Sequence, residues 1–486
     1  MALLSSNAFY RVCDFPKSQR NQGIPQFMTY LIRYAIAESG FVKSLILRHS
    51  VAYGIPNLNS LQFKNKFQDS EWEQESEERK SIVRIIRDTT PSGDGFRMPA
   101  EFEPHEGCIM IFPERADSWQ YGGYAARKAF VQVAKAIAES ERVTVCAGAA
   151  QYDNARAMLP AHIRVVEMSA DDAWARDYAP TFVKNDTGVI RGIDWGFNAW
   201  GGLYDGLYFP WDKDNGMARK LCDLLEKDVY DRRDFILEGG SIHVDGEGTC
   251  MVTESCLLSR GRNPELSKEE IEEILRNYLN VSSILWLPCG IYNDETNGHV
   301  DNICAFTAPG EVVLAWTEER EDPQYAMSKA CLDYLEQATD ARGRRLRIHK
   351  IPLPKPVTVT KGECQGLDAC GDEPARTPGE RLAASYVNFY IANKSVVIPG
   401  FGDPADREAK EILQKLFPDR KVVQIYTRDI LIGGGNIHCI TQQIPAGLSV
   451  LTGRGGSGLD DRPEPASCPE ACDFRNAFWR SSYLSL

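Results

Sequence analysis

A mixed α/β fold is predicted from three features of the sequence: short apolar strands alternating with amphipathic helices from Met98 onward, local capping signals at helix starts, and one segment that occurs twice. Residues 109–112 read as a strand, residues 125–140 carry apolar side chains at helical spacing, and residues 143–146 read as a strand again. Further on, Ser267 with Glu270 makes a capping box, and Asp403 before Pro404 predicts an N-cap followed by proline at the first helical position. The repeated segment is Ile236-Leu-Glu-Gly-Gly-Ser-Ile-His-Val244, which aligns with Leu431-Ile-Gly-Gly-Gly-Asn-Ile-His-Cys439. Such an echo suggests repeated supersecondary units around an axis, with chance similarity as the alternative.

The first 67 residues hold eight basic side chains against two acidic ones. Together with the amphipathic patch around residues 30–36, this suggests an organelle transit peptide; an unstructured extension or a mistaken gene start reads equally well. Pro91-Ser-Gly-Asp-Gly95 is punctuation that predicts a linker, so residues 1–95 are expected to be an extension, 96–446 the catalytic domain and 447–486 a tail. In that tail the G-x-G-x-x-G of residues 453–458 follows no strand and opens no helix, so it is not a dinucleotide fingerprint.

A net charge of -13 over 486 residues argues against a nucleic-acid-binding role and suits a cationic small substrate, as it suits general solubility. The 14 cysteines lack disulfide-framework or zinc spacing, which predicts a reducing compartment and no structural metal. No cofactor is expected. No run of about 18 apolar residues is present to span a membrane.

A cysteine-histidine mechanism has seven histidines to draw on: His49, His105, His162, His243, His299, His349 and His438. His438 adjoins Cys439, and strand alternation would point the two to opposite faces, so His438 and its echo His243 read as structural. His299 lies in Asp294-Glu-Thr-Asn-Gly-His-Val-Asp-Asn302; if Val300 points into the core, His299 and Asp301 share the other face of a strand edge as an acid-base pair. A solvated polar loop is the other reading. Asp171-Asp-Ala-Trp-Ala-Arg-Asp177 and Glu238 are similar, each open to a purely stabilising ion pair. Gly433-Gly-Gly allows a ligand close to the backbone, yet Cys439 alone is as easily a small buried hydrophobe.

Taken together, these motifs, with Trp195-Gly-Phe-Asn198 and Trp200-Gly-Gly-Leu-Tyr-Asp205, resemble the agmatine deiminases of the guanidine-modifying pentein superfamily, from Met98 through Gln443. The resemblance implies a five-bladed propeller of ββαβ repeats and a homodimer. Residue by residue it implies Cys439 as nucleophile, His299 as general acid/base, Asp177 and Asp301 as guanidinium ligands and Glu238 as the group that orients His299. Trp174 and Glu295 match family positions at the substrate's methylene chain and amine, and no arginine replaces them. The implied location is cytoplasmic, or plastid if the basic N-terminus is a transit peptide. An arginine or peptidylarginine deiminase would share the catalytic set and bind another tail, whereas a non-catalytic pentein that binds ribosomes would need the fold alone.

Overall fold

The computed structural model describes residues 83–369 and 374–447, and the expectations placed on the basic N-terminus and on the tail beyond Gly447 lie outside them. Five sheets are present among the described residues. Each contains an antiparallel strand pair, then a helix, then a strand parallel to the second of the pair. In chain order the later four units open with Thr181–Asn185, His243–Val244, Cys304–Ala308 and Tyr390–Ile391. The helices that complete them are Met217–Leu224, Lys268–Leu279, Pro323–Gln337 and Ala405–Leu416. In the remaining unit Thr441–Pro445 pairs antiparallel with His105–Ile111, which pairs in parallel with Arg142–Ala147. The last described strand therefore returns to complete the sheet begun by His105–Ile111. This is the α/β class expected, with ββαβ order in the four later units and, in the remaining one, the opening strand supplied by the last described strand.

Local sequence explains the elements. Helix Tyr124–Ala138 buries Ala126, Ala129, Phe130, Val133, Ala134 and Ile137, the i, i+3, i+4, i+7 stripe that faces a sheet. Each large side chain on that stripe contributes about 1.5–3 kcal/mol by leaving water. The Ser267 capping box forms as expected: the Glu270 amide donates to Ser267 Oγ at 3.2 Å and the Ser267 amide to Glu270 Oε2 at 2.8 Å. Asp403 Oδ1 accepts from the Ala405 amide at 2.9 Å, but Pro404 itself stands at the N-cap of Ala405–Leu416, one position later than expected.

Residues 85–95 depart from the expected linker. Ile85–Ile86 pairs in parallel with Val229 and Tyr230, and Phe96–Arg97 pairs with Asn185 and Lys184, so both strands extend the Thr181 sheet. Between them Asp94 is pinned by Arg191 and the Tyr230 hydroxyl, each at 2.8 Å. The turn residues Pro91 to Gly95 join two strands of one sheet rather than two domains. No described helix is long and apolar enough to cross a membrane.

Candidate active site

The opening strands are entered through tight turns, and the polar side chains singled out above lie on those turns. Asp177 is on the helical turn Ala175–Tyr178, and Glu238 stands just before the turn Gly239–Ser241. His299 and Asp301 bracket the start of the turn Val300–Ile303, and Cys439 is in the turn of residues 437–440. Turns at strand entrances let side chains from four units meet while the strands behind them bury apolar groups.

They meet around Gly240. A Cβ there would lie 2.6 Å from His299 Nδ1, 2.9 Å from Asp177 Oδ1 and 2.9 Å from Asp301 Oδ2, so only glycine admits the three together. Asp177 is held at both oxygens, by the Gly240 amide at 2.9 Å and Trp200 Nε1 at 2.8 Å. Cys439 Sγ lies 3.5 Å from Asp301 Oδ2. His299 Nε2 stands 3.7 Å from Glu238 Oε2 and its Nδ1 3.9 Å from Asp177 Oδ1, Coulombic contact rather than hydrogen bonds.

Burial sets the charges. It pushes the Asp177 carboxyl up to about 6, helped by Asp301 and Glu238 and opposed by His299. Burial also drives the Cys439 thiol well above its ordinary value, and Asp301 and Asp177 add to that. Burial works against charge on His299 too, but Asp177, Cys256 and Glu238 more than offset it and hold the imidazolium well above the ordinary histidine range. Glu238 stays ionised despite burial because Arg262 and His299 face it. These directions favour a neutral thiol beside a protonated histidine and several carboxylates, so a further cation brought to the sulfur would favour its ionisation.

A cleft of about 170 Å³ opens over Cys439, His299 and Asp177. Trp174 forms part of its wall, its ring locked by Nε1 on Asp172 Oδ2 at 2.9 Å and by Trp119 at 4.7 Å between centroids. Gly435 makes room for it: a Cβ there would lie 2.6 Å from the Trp174 ring and 3.1 Å from Cys439 Sγ. Glu295 is in the same wall, but it does not stand alone. Arg376 Nη2 donates to its Oε2 at 2.5 Å, while Arg376 is also held by Glu380 at 2.9 Å and the Ile432 carbonyl at 3.1 Å. No arginine replaces Trp174 or Glu295 in sequence, but one reaches the cleft from elsewhere.

Two local expectations are corrected. His299 and Asp301 do converge, but on a helical turn rather than a strand edge, so period two is not the cause. His438 and Cys439 are likewise in a turn, not a strand. His438 is buried and bonded on both nitrogens, to Asp301 Oδ2 at 2.9 Å and Glu101 Oε1 at 2.8 Å. It is therefore satisfied, as expected, yet it is also coupled to the site through Asp301. Asp301 stands outside the cleft wall, and its buried Oδ1 accepts no hydrogen bond from the described residues.

Sequence reasoning missed Arg262, Arg376, Asp172 and Asn388. Arg262 meets Glu238 as an ion pair at 2.8 Å, and its other nitrogens bind Asn297 Oδ1 at 2.7 Å and the Thr296 carbonyl at 2.9 Å, bracing the His299 loop. Asn388 had a signal, being a lone amide in the apolar run of residues 386–391. Among the described residues two groups bring metal-ligating side chains together: Glu238, Cys256 and His299, and Glu101, His243 and His438. In each the carboxylate already faces an arginine, Arg262 at 2.8 Å and Arg176 at 3.3 Å, which disfavours a second cation.

Residues 97–445 match the family described as Porphyromonas-type peptidyl-arginine deiminase. An agmatine deiminase of Pseudomonas aeruginosa is 58% identical over 359 residues, 74% of this chain and 98% of the relative. One of Pseudomonas putida is 54% identical over 359 residues, with the same shares covered. A solved structure of the agmatine deiminase of Enterococcus faecalis, described as catalysing its reaction, superposes with a TM-score of 0.73 at 50% identity, covering 75% of this chain and all of that one. These relatives are bacterial and lend no support to a plastid location. With the α/β units, the cysteine-histidine-carboxylate site and these matches in agreement, the chain belongs to the Porphyromonas-type peptidyl-arginine deiminase family.

Proposed function

We propose that the protein is an agmatine deiminase, hydrolysing agmatine to N-carbamoylputrescine and ammonia on the route to putrescine. The observation that carries this is the convergence on Gly240 of His299, Asp177 and Asp301, with Cys439 against Asp301, beside a cleft that also presents Trp174 and Glu295. A planar guanidinium offers paired N–H donors that Asp177 in the cleft wall can grip, and the family resemblance supports Asp301, whose buried Oδ1 is unpartnered among the described residues, as the second carboxylate. Its positive charge opposes the carboxylates that hold the thiol neutral, so binding favours the Cys439 thiolate, the thiol proton being lost to solvent through the cleft because His299 already carries its own. The thiolate attacks the guanidinium carbon, His299 gives its proton to the departing ammonia, and an amidino-cysteine carrying the substrate's chain remains. His299, now neutral and oriented by Glu238, takes a proton from water as that water attacks; the C–S bond breaks and the ureido product leaves. The family resemblance supports a homodimer as the working species.

Glu295 decides agmatine against arginine. Its pairing with Arg376 keeps the tail end of the cleft from presenting a bare cation to the substrate's amine. Glu295→Gln removes the carboxylate and leaves the Arg376 charge behind. Loss of a charge-assisted hydrogen bond, about 1.5–3 kcal/mol, should raise the Michaelis constant for agmatine roughly tenfold or more. A short alkylguanidine lacking the amine should be little affected, and discrimination against free arginine should weaken. The assay is kcat and KM for all three substrates. Wild-type preference for arginine would overturn the substrate assignment, and equal losses for agmatine and the short guanidine would place Glu295 in the scaffold.

Asp177 gives a pH dependence. With its carboxyl at about 6 in the empty site, the group is protonated below that pH and ionised above it. A guanidinium binds the ionised form, so KM for agmatine should climb as pH falls through about 6, approaching tenfold per unit for one linked proton. KM flat from pH 7 to 5 would remove Asp177 from the binding step.

A further inference from the structure

We infer that Asn388 is a further catalytic residue, donating a hydrogen bond to the Cys439 sulfur that favours its thiolate form; this rests on the reading of Cys439 as the nucleophile. Asn388 is fully buried and lies two residues before the strand Tyr390–Ile391, on the one unit that supplies none of the residues named in the reaction above. Its amide orientation is settled by its neighbours. The His438 amide reaches Asn388 Oδ1 at 3.0 Å and the Cys439 amide reaches it at 3.4 Å. Backbone N–H groups can only donate, so the oxygen faces them and the NH2 faces Cys439 Sγ, 3.2 Å from Nδ2.

The sulfur's other side-chain hydrogen-bond partner among the described residues is Asp301 Oδ2, at 3.5 Å. A neutral thiol can donate to that carboxylate, or to Asn388 Oδ1 at 3.4 Å. A thiolate can only accept, and a carboxylate then repels it. Asn388 Nδ2 is the side-chain contact that turns favourable once the proton has gone, beside the Asn436 backbone amide. The same bond serves twice, when the thiolate attacks and again when it is expelled from the amidino-cysteine. A more populated thiolate is also a slightly weaker nucleophile, but with a Brønsted slope of about 0.4–0.5 a tenfold gain in population costs only about threefold in reactivity.

Asn388→Asp is close to isosteric: it keeps an oxygen for the two backbone amides and replaces the donor by an anion beside the sulfur. Asn388→Ala removes the donor without adding charge. The probe is iodoacetamide at fixed pH, with modification followed on the Cys439 peptide by mass spectrometry. Donor loss should slow alkylation by about threefold for Asn388→Ala and about tenfold for Asn388→Asp, and lower kcat with KM for agmatine within about twofold. A merely structural role predicts the opposite sign, because a loosened turn exposes Cys439 and speeds its alkylation. An unchanged or faster rate in either variant that melts like the wild type would overturn the inference. A separate control tests the underlying reading: wild-type enzyme alkylated at Cys439 should be inactive, and retained turnover would fault the nucleophile assignment whatever Asn388 does.

Discussion

Cys439→Ser should abolish agmatine hydrolysis, by on the order of 10⁴-fold or more in kcat, while leaving melting and substrate binding close to wild type. The hydroxyl is smaller than the thiol and fits the same space, so the turn of residues 437–440 can persist. What cannot persist is the anion. Burial, Asp301 and Asp177 already oppose ionisation of the thiol. A hydroxyl, far less acidic to begin with, meets the same opposition, and a bound guanidinium cannot offset the difference. In wild-type protein quenched during turnover, mass spectrometry should find the amidino adduct with its aminobutyl chain on Cys439, and none should form on the serine variant. Substantial turnover by folded Cys439→Ser enzyme, or an adduct on another cysteine, would end the covalent assignment.

How far this site could be read from sequence follows from the range of the forces that build it. The strands, the helix at residues 124–138 and the Ser267 cap rest on periodicity and local hydrogen bonds, which the sequence carries within a few positions. The motifs around Asp177, His299 and Cys439 were found because each is compact. Failures are of two kinds. Short turns defeat periodicity: four residues at Val300–Ile303 cannot distinguish a period of two from one of 3.6, so the convergence of His299 and Asp301 was expected for the wrong reason. Long-range pairs leave no local trace at all. Arg376 meets Glu295 across 81 positions, Asn388 meets Cys439 across 51, and the Arg84 amide next to Ile85–Ile86 bonds Asp228 across 144. Pro91 to Gly95 would look the same in a linker as in a turn within a sheet, because turn chemistry records the bend and not what lies on either side of it.

The two buried histidines near Asp301 should fail in different ways when each is changed to glutamine. His299→Gln removes the proton donor and acceptor of both half-reactions, so kcat should fall by about 10²–10⁴-fold, the range of general acid–base catalysis. Its stability should fall too, since a buried imidazolium is lost beside Asp177 and Glu238, but Arg262 remains on Glu238 at 2.8 Å. His438 is arranged the other way. Burial and Arg176 oppose its charge, yet Glu101 and Asp301 on its two nitrogens hold its titration above the ordinary value. His438→Gln keeps a polar side chain but removes a buried cation between two carboxylates, a change of the kind that costs about 3–5 kcal/mol of stability. Because the histidine's folded value is raised, its charge contributes fully below the unfolded value and that contribution fades as pH rises through the folded one. The stability gap between wild type and His438→Gln should therefore be widest in mild acid and narrow toward alkaline pH, while kcat falls about tenfold through the loosened Asp301. Chemical denaturation across pH and steady-state kinetics on the folded variants separate the two histidines. If His438→Gln loses as much kcat as His299→Gln without a matching loss of stability, the proton-transfer role belongs to the histidine beside the nucleophile instead.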